Sequence, residues 1–498
     1  MEQEYLNKGK NYRLPILFFC LIAGIRVFIY SISFPFFSNV DEQWHFDLVL
    51  KYSEGHFPKS LETMSPHTAE YVVKYESQEY FKSPDYFPEH HFPVPIWKYP
   101  ESNSRDYVNQ GIATWSSDFN HDSLQPPLYY LIAGAWAKLG NWLGFSGGYW
   151  LYWIRWLNVL LIVALVWISY RTVSLIYPGN KMMILGVPLF TAILPQDTFY
   201  SIQSDVLSPV CFGLAFLYLI RFVFEDKPRT NYGVIAGLSL VATILVKNTN
   251  LPLLLVSFGI LVFAVYRWKK TQSFKEIIKP VAMFVVSGYF PVMLWFLYNH
   301  IMHGDITASE SKIQFLAWTH KPISDWINHP IFTANGLWLY WKDTIVSYWR
   351  GEFNWYLKIL AMPAMDVFYC VSSFVFMIIG AFLIRSRNTI FQKQINLISL
   401  CVFISLLLFM IVLSISFDYG DCTYPSQTYP YFASGRLISA SLIPFLILYV
   451  QGLEKVLCWI KSEILRIGIL TVLAITITIS EVIINLPAFF SEFNMFNL

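Results

Sequence analysis

Apolar positions in this chain form long runs that alternate with shorter polar segments. The first run covers 14–37, and runs of similar length recur through 149–299 and 356–498. About 20 consecutive apolar residues are enough to cross a bilayer as an α-helix. The pattern therefore predicts an all-α polytopic membrane protein.

The N-terminal segment 1–13 carries Lys8, Lys10 and Arg13 ahead of the first run, an arrangement that also begins a secretory signal peptide. The run 14–37 is too long for the apolar part of a signal peptide, and it lacks a small-x-small cleavage site. We therefore expect an uncleaved first transmembrane helix. Its basic flank predicts a cytoplasmic N-terminus.

A long polar region, 39–125, follows the first span. From Asp41 to Asp122 it contains 14 Asp or Glu residues against 6 Lys or Arg residues. Long loops that are poor in Lys and Arg are typical of the extracytoplasmic side. We expect 38–148 to form a large first extracytoplasmic loop with juxtamembrane helices.

The segment 126–144 begins with two prolines, which favours a helix start. If this helix lies in the interface, the later basic clusters are all cytoplasmic; if it crosses, most of them lie outside. These clusters are at 171–181, 221–229, 267–279, 385–393 and 455–466. The positive-inside bias therefore favours a juxtamembrane helix and about 11 spans, with 300–355 as a second extracytoplasmic loop.

On this topology, further polar inserts face the same side as Asp41. They are 196–205, 247–250, 300–355 and 417–436.

Composition adds little: the 498 residues are 55% hydrophobic and 14% charged, with a formal net charge of +2. This balance implies membrane lipids as contacts and no nucleic-acid partner. Five of the six cysteines fall within or at the end of apolar runs, so no disulfide framework is predicted.

The most informative polar stretch is 39–47, directly after the first span. Carboxylates and a histidine at a membrane surface cost solvation energy, which favours a functional role. Asp41 and His45 are four positions apart and share a face if the stretch is helical, while Glu42 points elsewhere. A partly desolvated carboxylate gains proton affinity, so Asp41 is a candidate general base. The alternative is that Asp41 only caps a solvated helix.

Three later charges are further candidates, each with a simpler alternative. Asp205, at the outer start of a span, either caps that helix or serves as a second acid that positions an acceptor or holds a metal. Lys247 either snorkels to the surface or contacts a phosphate. Arg436 runs against the positive-inside bias, which favours a bidentate contact to a lipid phosphate, with ordinary headgroups as the alternative.

The aromatic segment 345–355 suits either a sugar or prenyl contact or an interfacial helix. No Walker loop, dinucleotide fingerprint or nucleophile elbow is present in the sequence, so a nucleotide or acyl-serine mechanism has no visible machinery.

Five different short motifs follow one another along nearly the whole chain. They are Asp41-Glu42-x-x-His45-Phe46, Gln125-Pro126-Pro127-Leu128-Tyr129-Tyr130, Ser204-Asp205, Ser347-Tyr348-Trp349 and Gly435-Arg436. Together with the large first loop, this order resembles the GT-C membrane glycosyltransferases, which include protein O-mannosyltransferases and the aminoarabinose transferase of lipid A. Within that superfamily the chain most resembles a bacterial family of multi-span membrane proteins.

The resemblance implies a polyprenyl-phosphate sugar as donor, an extracytoplasmic glycan, lipid or protein hydroxyl as acceptor, and inversion at the anomeric carbon. It assigns Asp41 as the base, Asp205 as the second acid and Arg436 as the ligand of the donor phosphate. Here Leu437 follows Arg436, where the family often has Tyr and then Pro. Catalytic support is expected from Glu42 and His45, a phosphate contact from Lys247, and substrate contacts from Gln125, Tyr129, Gln203, Trp349, Arg350 and Glu352. No cofactor is assigned, and a divalent metal is left open because metal use varies between branches.

These observations predict a membrane glycosyltransferase of the bacterial cytoplasmic membrane, with its active site on the extracytoplasmic side. The main alternative is a transporter or flippase of lipid-linked sugars. A second alternative is a non-catalytic polymer-assembly protein of the same fold. Secondary transporters tend to show two related halves, and the sequence shows no such repeat.

Overall fold

The computed structural model describes residues 12–38, 41–382, 389–422 and 424–496. The expected cytoplasmic segment 1–13 therefore lies almost entirely outside the described residues. The regular structure is mainly α-helical. The α-helices are α1 (Arg13–Ser33), α2 (Glu42–Ser53), α3 (Pro66–Tyr75), α4 (Glu101–Trp115), α5 (Leu128–Trp142), α6 (Gly147–Arg155), α7 (Leu157–Ile176), α8 (Lys181–Ile193), α9 (Ser208–Phe224), α10 (Thr230–Ile244), α11 (Pro252–Trp268), α12 (Phe274–His303), α13 (Glu310–Phe315), α14 (Ile323–Trp326), α15 (Ala334–Arg350), α16 (Pro363–Phe382), α17 (Ile390–Ser416), α18 (Leu442–Val456) and α19 (Glu463–Phe489).

Short strands form antiparallel pairs in the loops. They are β1 (Glu62–Thr63) with β2 (Phe119–Asn120), β3 (Thr319–His320) with β6 (Phe417–Asp418), and β4 (Asn354–Trp355) with β5 (Lys358–Ile359). The first pair aligns Glu62 with Asn120 and so closes the first loop on itself. The second aligns Thr319 with Asp418 and joins two segments that are far apart in sequence.

Nine helical stretches among the described residues are long and apolar enough to cross a membrane. They are Arg13–Ser33, Gly147–Ile176, Ser204–Phe224, Asn248–Trp268, Phe274–His303, Pro363–Phe382, Ile390–Ser416, Gly435–Trp459 and Glu463–Phe489. Two shorter apolar helices, α8 and α10, raise the number of apolar helical stretches in the described residues from nine to eleven. Helix α5, which the prolines at 126 and 127 precede, is in neither group. The prediction of an all-α polytopic membrane protein is confirmed.

The packing separates a central helix from a peripheral one. Nearly every residue of α18 is buried, whereas α12 exposes many large apolar side chains. The exposed set on α12 includes Phe290, Met293, Leu294, Leu297 and Ile301. Such an apolar surface is stable against lipid tails and would be costly in water, so α12 lies at the lipid-facing edge.

The polar inserts gather at one end of the bundle, called here the loop end, where they contact one another. It is made up of 34–38, 41–127, 194–206, 245–250, 304–362, 417–422 and 424–436. The first and second loops meet where Lys312 Nζ lies 2.6 Å from Asp122 Oδ1. They meet again where the Tyr356 amide donates to the Glu79 carbonyl at 2.7 Å. The sequence predicted this gathering from span parity alone.

A buried charged pair inside the bundle holds part of the loop end. Arg26 Nη1 on α1 lies 3.5 Å from Glu481 Oε2 on α19, and it donates to the carbonyl of Ile193 at 2.6 Å. Tyr200 donates its hydroxyl to Glu481. Unpaired charges are costly in an apolar interior, so Arg26 and Glu481 are expected to keep these partners. Since Ile193 and Tyr200 are among the partners, the contacts hold the segment 194–200 that leads to Asp205.

Candidate functional site

Asp41 stands at the N-cap of α2 in a left-handed backbone conformation, with φ 65° and ψ 8°. Its carbonyl accepts the amides of Trp44 and His45, whereas its side chain makes no capping hydrogen bond. The alternative that the Asp41 carboxylate serves as a helix cap is therefore wrong. A non-glycine residue with positive φ is uncommon, and such residues concentrate at functional sites.

The Asp41 carboxylate instead contacts Arg436, which is 395 positions later in the chain. Arg436 Nη2 lies 2.7 Å from Asp41 Oδ2, and the side chains retain 17% and 28% exposure. The second terminal nitrogen of Arg436 donates to Gln203 Oε1 at 3.4 Å and lies 3.9 Å from Asp205 Oδ2. Three other predicted site residues thus meet around the guanidinium group of Arg436.

A close backbone approach fixes Arg436. A Cβ added to Gly435 would lie 2.1 Å from the backbone nitrogen of Tyr348, so only glycine fits there. The Gly435 amide also donates to Ser347 Oγ at 2.8 Å. The short 3₁₀-helix Gly435–Ser441, which leads into α18, is therefore held directly against the end of α15.

Asp205 and Lys247 form a buried ion pair behind Arg436. Lys247 Nζ lies 2.7 Å from both carboxylate oxygens of Asp205. Burial lowers the pKa of Lys247, while the carboxylate of Asp205 opposes that shift. The Lys247 ammonium thus already has an anionic partner. The Asp205 side chain contacts Lys247 and Arg436, as distinct from capping a helix.

A narrow cleft opens in front of Arg436, with room for about one water molecule. Its lining residues are Asp197, Thr198, Gln203, Ser347, Gly351, Glu352 and Arg436. Ser434 donates its hydroxyl to Glu352 Oε2 at 2.9 Å, and the Glu352 amide donates to Asp197 Oδ2 at 3.1 Å. Burial raises the pKa of Glu352. The cleft therefore presents two carboxylates beside a guanidinium group.

Asp197 was predicted only as part of the polar insert 196–205, yet it lines this cleft. Its backbone has φ 67°, and Gly351 packs so closely that an added Cβ would lie 2.3 Å from the Asp197 Cβ. Gly351 itself has φ 83°. A glycine that follows Trp-Arg at the end of an aromatic helix is the sequence signal for this contact.

A second polar group lies on the other side of Asp41 and was not predicted. His121 Nε2 is 4.0 Å from Asp41 Oδ1 and 3.9 Å from Asp122 Oδ1. Asp122 also accepts from Gln125 at 3.1 Å and pairs with Lys312. Burial alone would raise the pKa of Asp122, but the Lys312 ammonium and the neighbouring histidines hold it well below its usual range. Gln125 thus reaches the site through Asp122.

Glu42 follows Asp41 in the sequence, but its side chain is fully buried against Arg155. Arg155 Nε donates to Glu42 Oε1 at 2.7 Å, and Arg155 Nη2 donates to Oε2 at 2.6 Å. The backbone amides of Phe37 and Ile202 donate to the same carboxylate at 3.0 and 2.9 Å. Both oxygens of Glu42 are therefore engaged in holding the end of α1 to the segment 194–205.

His45 is also buried, and its Nδ1 lies 2.8 Å from the hydroxyl of Tyr130. Burial lowers the pKa of His45 to about 4, so the ring is neutral near pH 7. Tyr129, on the same helix as Tyr130, is buried too, and burial raises its pKa above the ordinary value. These three rings form the packed layer beneath the site.

Trp349 and Arg350 lie outside the cleft. Trp349 stacks on Tyr369 with ring centroids 5.0 Å apart, and its Nε1 donates to Ser373 Oγ at 2.8 Å. Arg350 Nε donates to Asp366 Oδ1 at 2.8 Å. The aromatic segment therefore packs α15 against α16, and Glu352 is the member that lines the cleft.

No three His, Cys, Asp or Glu side chains converge in a way that suits a metal ion within the ranges that the structure describes.

These features define an integral membrane protein whose buried and half-buried charges meet at one end of a helical bundle. The chain belongs to the family described as predicted membrane protein (DUF2142), whose sequence profile matches residues 24–420. The expected likeness to a family of multi-span membrane proteins is thus confirmed, while membership of the GT-C superfamily stays a prediction. A comparison with curated proteins finds no match.

Among solved structures, the chain is similar to the oligosaccharyltransferase of Archaeoglobus fulgidus in its apo form. The TM-score is 0.40 at 11% sequence identity. The similarity covers 96% of this chain and 56% of the archaeal chain, so this chain spans little more than half the length of that protein. A likeness this weak assigns no activity.

Proposed function

We propose that this protein is a GT-C-like membrane glycosyltransferase that transfers a sugar from a polyprenyl-phosphate donor to a hydroxyl group of a glycan, lipid or protein. The loop end faces the extracytoplasmic side of a bacterial cytoplasmic membrane, and the N-terminus is cytoplasmic. One observation carries the proposal: Asp41 and Arg436 meet at 2.7 Å beside a cleft, although 395 positions separate them.

The transfer needs two charges of opposite sign, which this site supplies. The Asp41 carboxylate accepts the proton of the acceptor hydroxyl while the hydroxyl oxygen forms a bond to the anomeric carbon. The bond between that carbon and the phosphate oxygen breaks, and the polyprenyl phosphate leaves with the electron pair. The Arg436 guanidinium stabilises the charge that develops on the departing phosphate. Attack from the face opposite the leaving group inverts the anomeric configuration.

The other predicted residues take supporting roles in this proposal. Asp205 helps to hold Arg436, whose Nη1 lies 3.9 Å from Asp205 Oδ2, and Lys247 in turn pairs with Asp205. Glu42 positions Asp41 through the backbone of α2. Gln203 and Glu352, which line the cleft, contact the acceptor or the donor sugar. A further set supports the cleft without lining it: His45, Gln125, Tyr129, Trp349 and Arg350.

The test is transfer of a radiolabelled sugar from a polyprenyl-phosphate donor by the purified full chain in lipid nanodiscs, with a panel of acceptors from the cell envelope. We expect Asp41→Asn to lower the transfer rate by roughly 10²-fold to 10⁴-fold, the usual contribution of a general base. Asp325→Asn is the matched control, because Asp325 is an exposed carboxylate in the second loop and its replacement changes the net charge equally.

Unchanged transfer by Asp41→Asn would contradict the proposed role of Asp41. The main alternative has its own readout, for which the wild type is reconstituted into sealed vesicles. If the wild type moves lipid-linked sugars between leaflets and transfers no sugar, the protein is a transporter.

A further inference from the structure

The two groups that the proposed reaction needs apart are in contact in this structure. Asp41 Oδ2 lies 2.7 Å from Arg436 Nη2, which is also the distance at which a phosphate oxygen binds an arginine. The Asp41 carboxylate therefore stands in the place that the donor phosphate would take.

Arg436 is the cation among the residues that line the cleft. Lys247, the nearby ammonium group, is held at 2.7 Å by both oxygens of Asp205 and lies behind Arg436. Arg436 is therefore the positive charge that this region offers to a phosphate. Asp41 does not line the cleft but lies beside it, where its carboxylate occupies one edge of the guanidinium group.

The ion pair is suited to exchange. Its side chains keep 17% and 28% exposure, in contrast to the pair of Arg155 and Glu42 at 1% and 0%. Partly solvated ion pairs are weak, because water competes for both charges. On release, Asp41 still has the imidazole of His121 at 4.0 Å.

We propose that Asp41 and Arg436 form an exchangeable pair, in which the donor phosphate replaces Asp41 on Arg436 and so frees the Asp41 carboxylate to act on the acceptor. This inference rests on the proposed function and adds an order of events, since the base becomes available only after the donor is bound. An acceptor that enters first meets a carboxylate that Arg436 still holds.

The charged groups that face Asp41 support this order. Burial alone would raise the pKa of Asp41, and Asp122 acts in the same direction, but Arg436 and His121 together hold it below its ordinary value. When a phosphate takes Arg436, the largest opposing charge is lost. The proton affinity of Asp41 then rises, as a general base requires.

The test is equilibrium binding of a short-chain polyprenyl monophosphate, which carries no sugar to transfer, to the full chain in nanodiscs by isothermal titration calorimetry. Removing the competing carboxylate by Asp41→Asn should tighten binding by about tenfold or more, whereas Arg436→Ala should weaken it by at least about tenfold. In the Arg436→Ala background, Asp41→Asn should have no effect. Asp325→Asn controls for net charge and should bind as the wild type does.

Two replacements at position 41 keep the test decisive if one variant does not fold. Asparagine and glycine both tolerate the left-handed backbone of this position, so Asp41→Gly removes the carboxylate with the same expected gain in affinity. Equal or weaker binding by a folded variant overturns the exchange, as does an Asp41→Asn gain that persists without Arg436.

The two proposals fail separately. Sugar transfer by the wild type without tighter phosphate binding by Asp41→Asn would leave the glycosyltransferase and remove the exchange. Tighter binding without any sugar transfer would leave the exchange and remove the glycosyltransferase. An absence of phosphate binding by the wild type and by every variant would remove both.

Discussion

The pair of Glu42 and Arg155 offers a sharp test of a structural role at a position next to the proposed base. Both side chains are almost fully buried, at 0% and 1% exposure. Arg155 also donates to the carbonyls of Ser31 and Phe34 at 2.9 and 2.8 Å, at the end of α1. Removing one partner of a buried pair leaves the other charge without compensation in an apolar interior, which costs about 3–5 kcal/mol.

Glu42→Gln should therefore destabilise the protein by about 3–5 kcal/mol. In the fraction of the protein that still folds, α2 should form and hold Asp41 in place. Arg155→Met should cost at least as much, because the carbonyls at the end of α1 also lose their donor. In the double variant Glu42→Gln/Arg155→Met, no unpaired charge remains. Its loss should be smaller than the sum of the two single losses by about 2 kcal/mol or more.

The assay is unfolding of the detergent-solubilised chain by titration with a denaturing detergent, followed by tryptophan fluorescence. Sugar transfer by the folded fraction of each variant is measured in parallel. If Glu42→Gln were as stable as the wild type and yet inactive, Glu42 would act in the chemistry and the structural role would be refuted. Additive losses in the double variant would show that the two residues stabilise the fold independently.

Two further predictions follow from the same geometry. Gly435→Ala places a Cβ 2.1 Å from the Tyr348 backbone, so we expect a loss of about 1–3 kcal/mol and weaker binding of polyprenyl phosphate; unchanged affinity would show that the close approach does not position Arg436. His45 has a pKa of about 4 when folded, against about 6.5 when unfolded. Its contribution to stability is therefore present above about pH 6.5 and is lost as the pH falls towards 4. The melting temperature of His45→Gln should fall less between pH 7 and pH 5 than that of the wild type, and parallel curves would contradict the shift.

The sequence alone determined the helical membrane bundle. Backbone groups inside a bilayer have no water partners, so long apolar runs have little choice but helices. The same pattern, combined with the basic clusters, predicted that the helix after Pro126 and Pro127 does not span the membrane. It also indicated that inserts from four distant parts of the chain share one side with Asp41, because the side on which each insert lies follows from the number of spans before it.

Only the tertiary structure decided which charges are paired and which face the cleft. Glu42 adjoins Asp41 in sequence, but its partner is Arg155, 113 positions later. From the sequence, Lys247 and Arg436 were both candidate phosphate contacts, but Asp205 already pairs with Lys247. Trp349 and Glu352 are close in sequence, yet Trp349 packs in the core and Glu352 lines the cleft. Local spacing gives the face of a helix on which a residue lies. A buried charge, however, is stabilised by whichever opposite charge the packing brings within about 3–4 Å. The identity of that partner depends on how all the helices between the two residues pack.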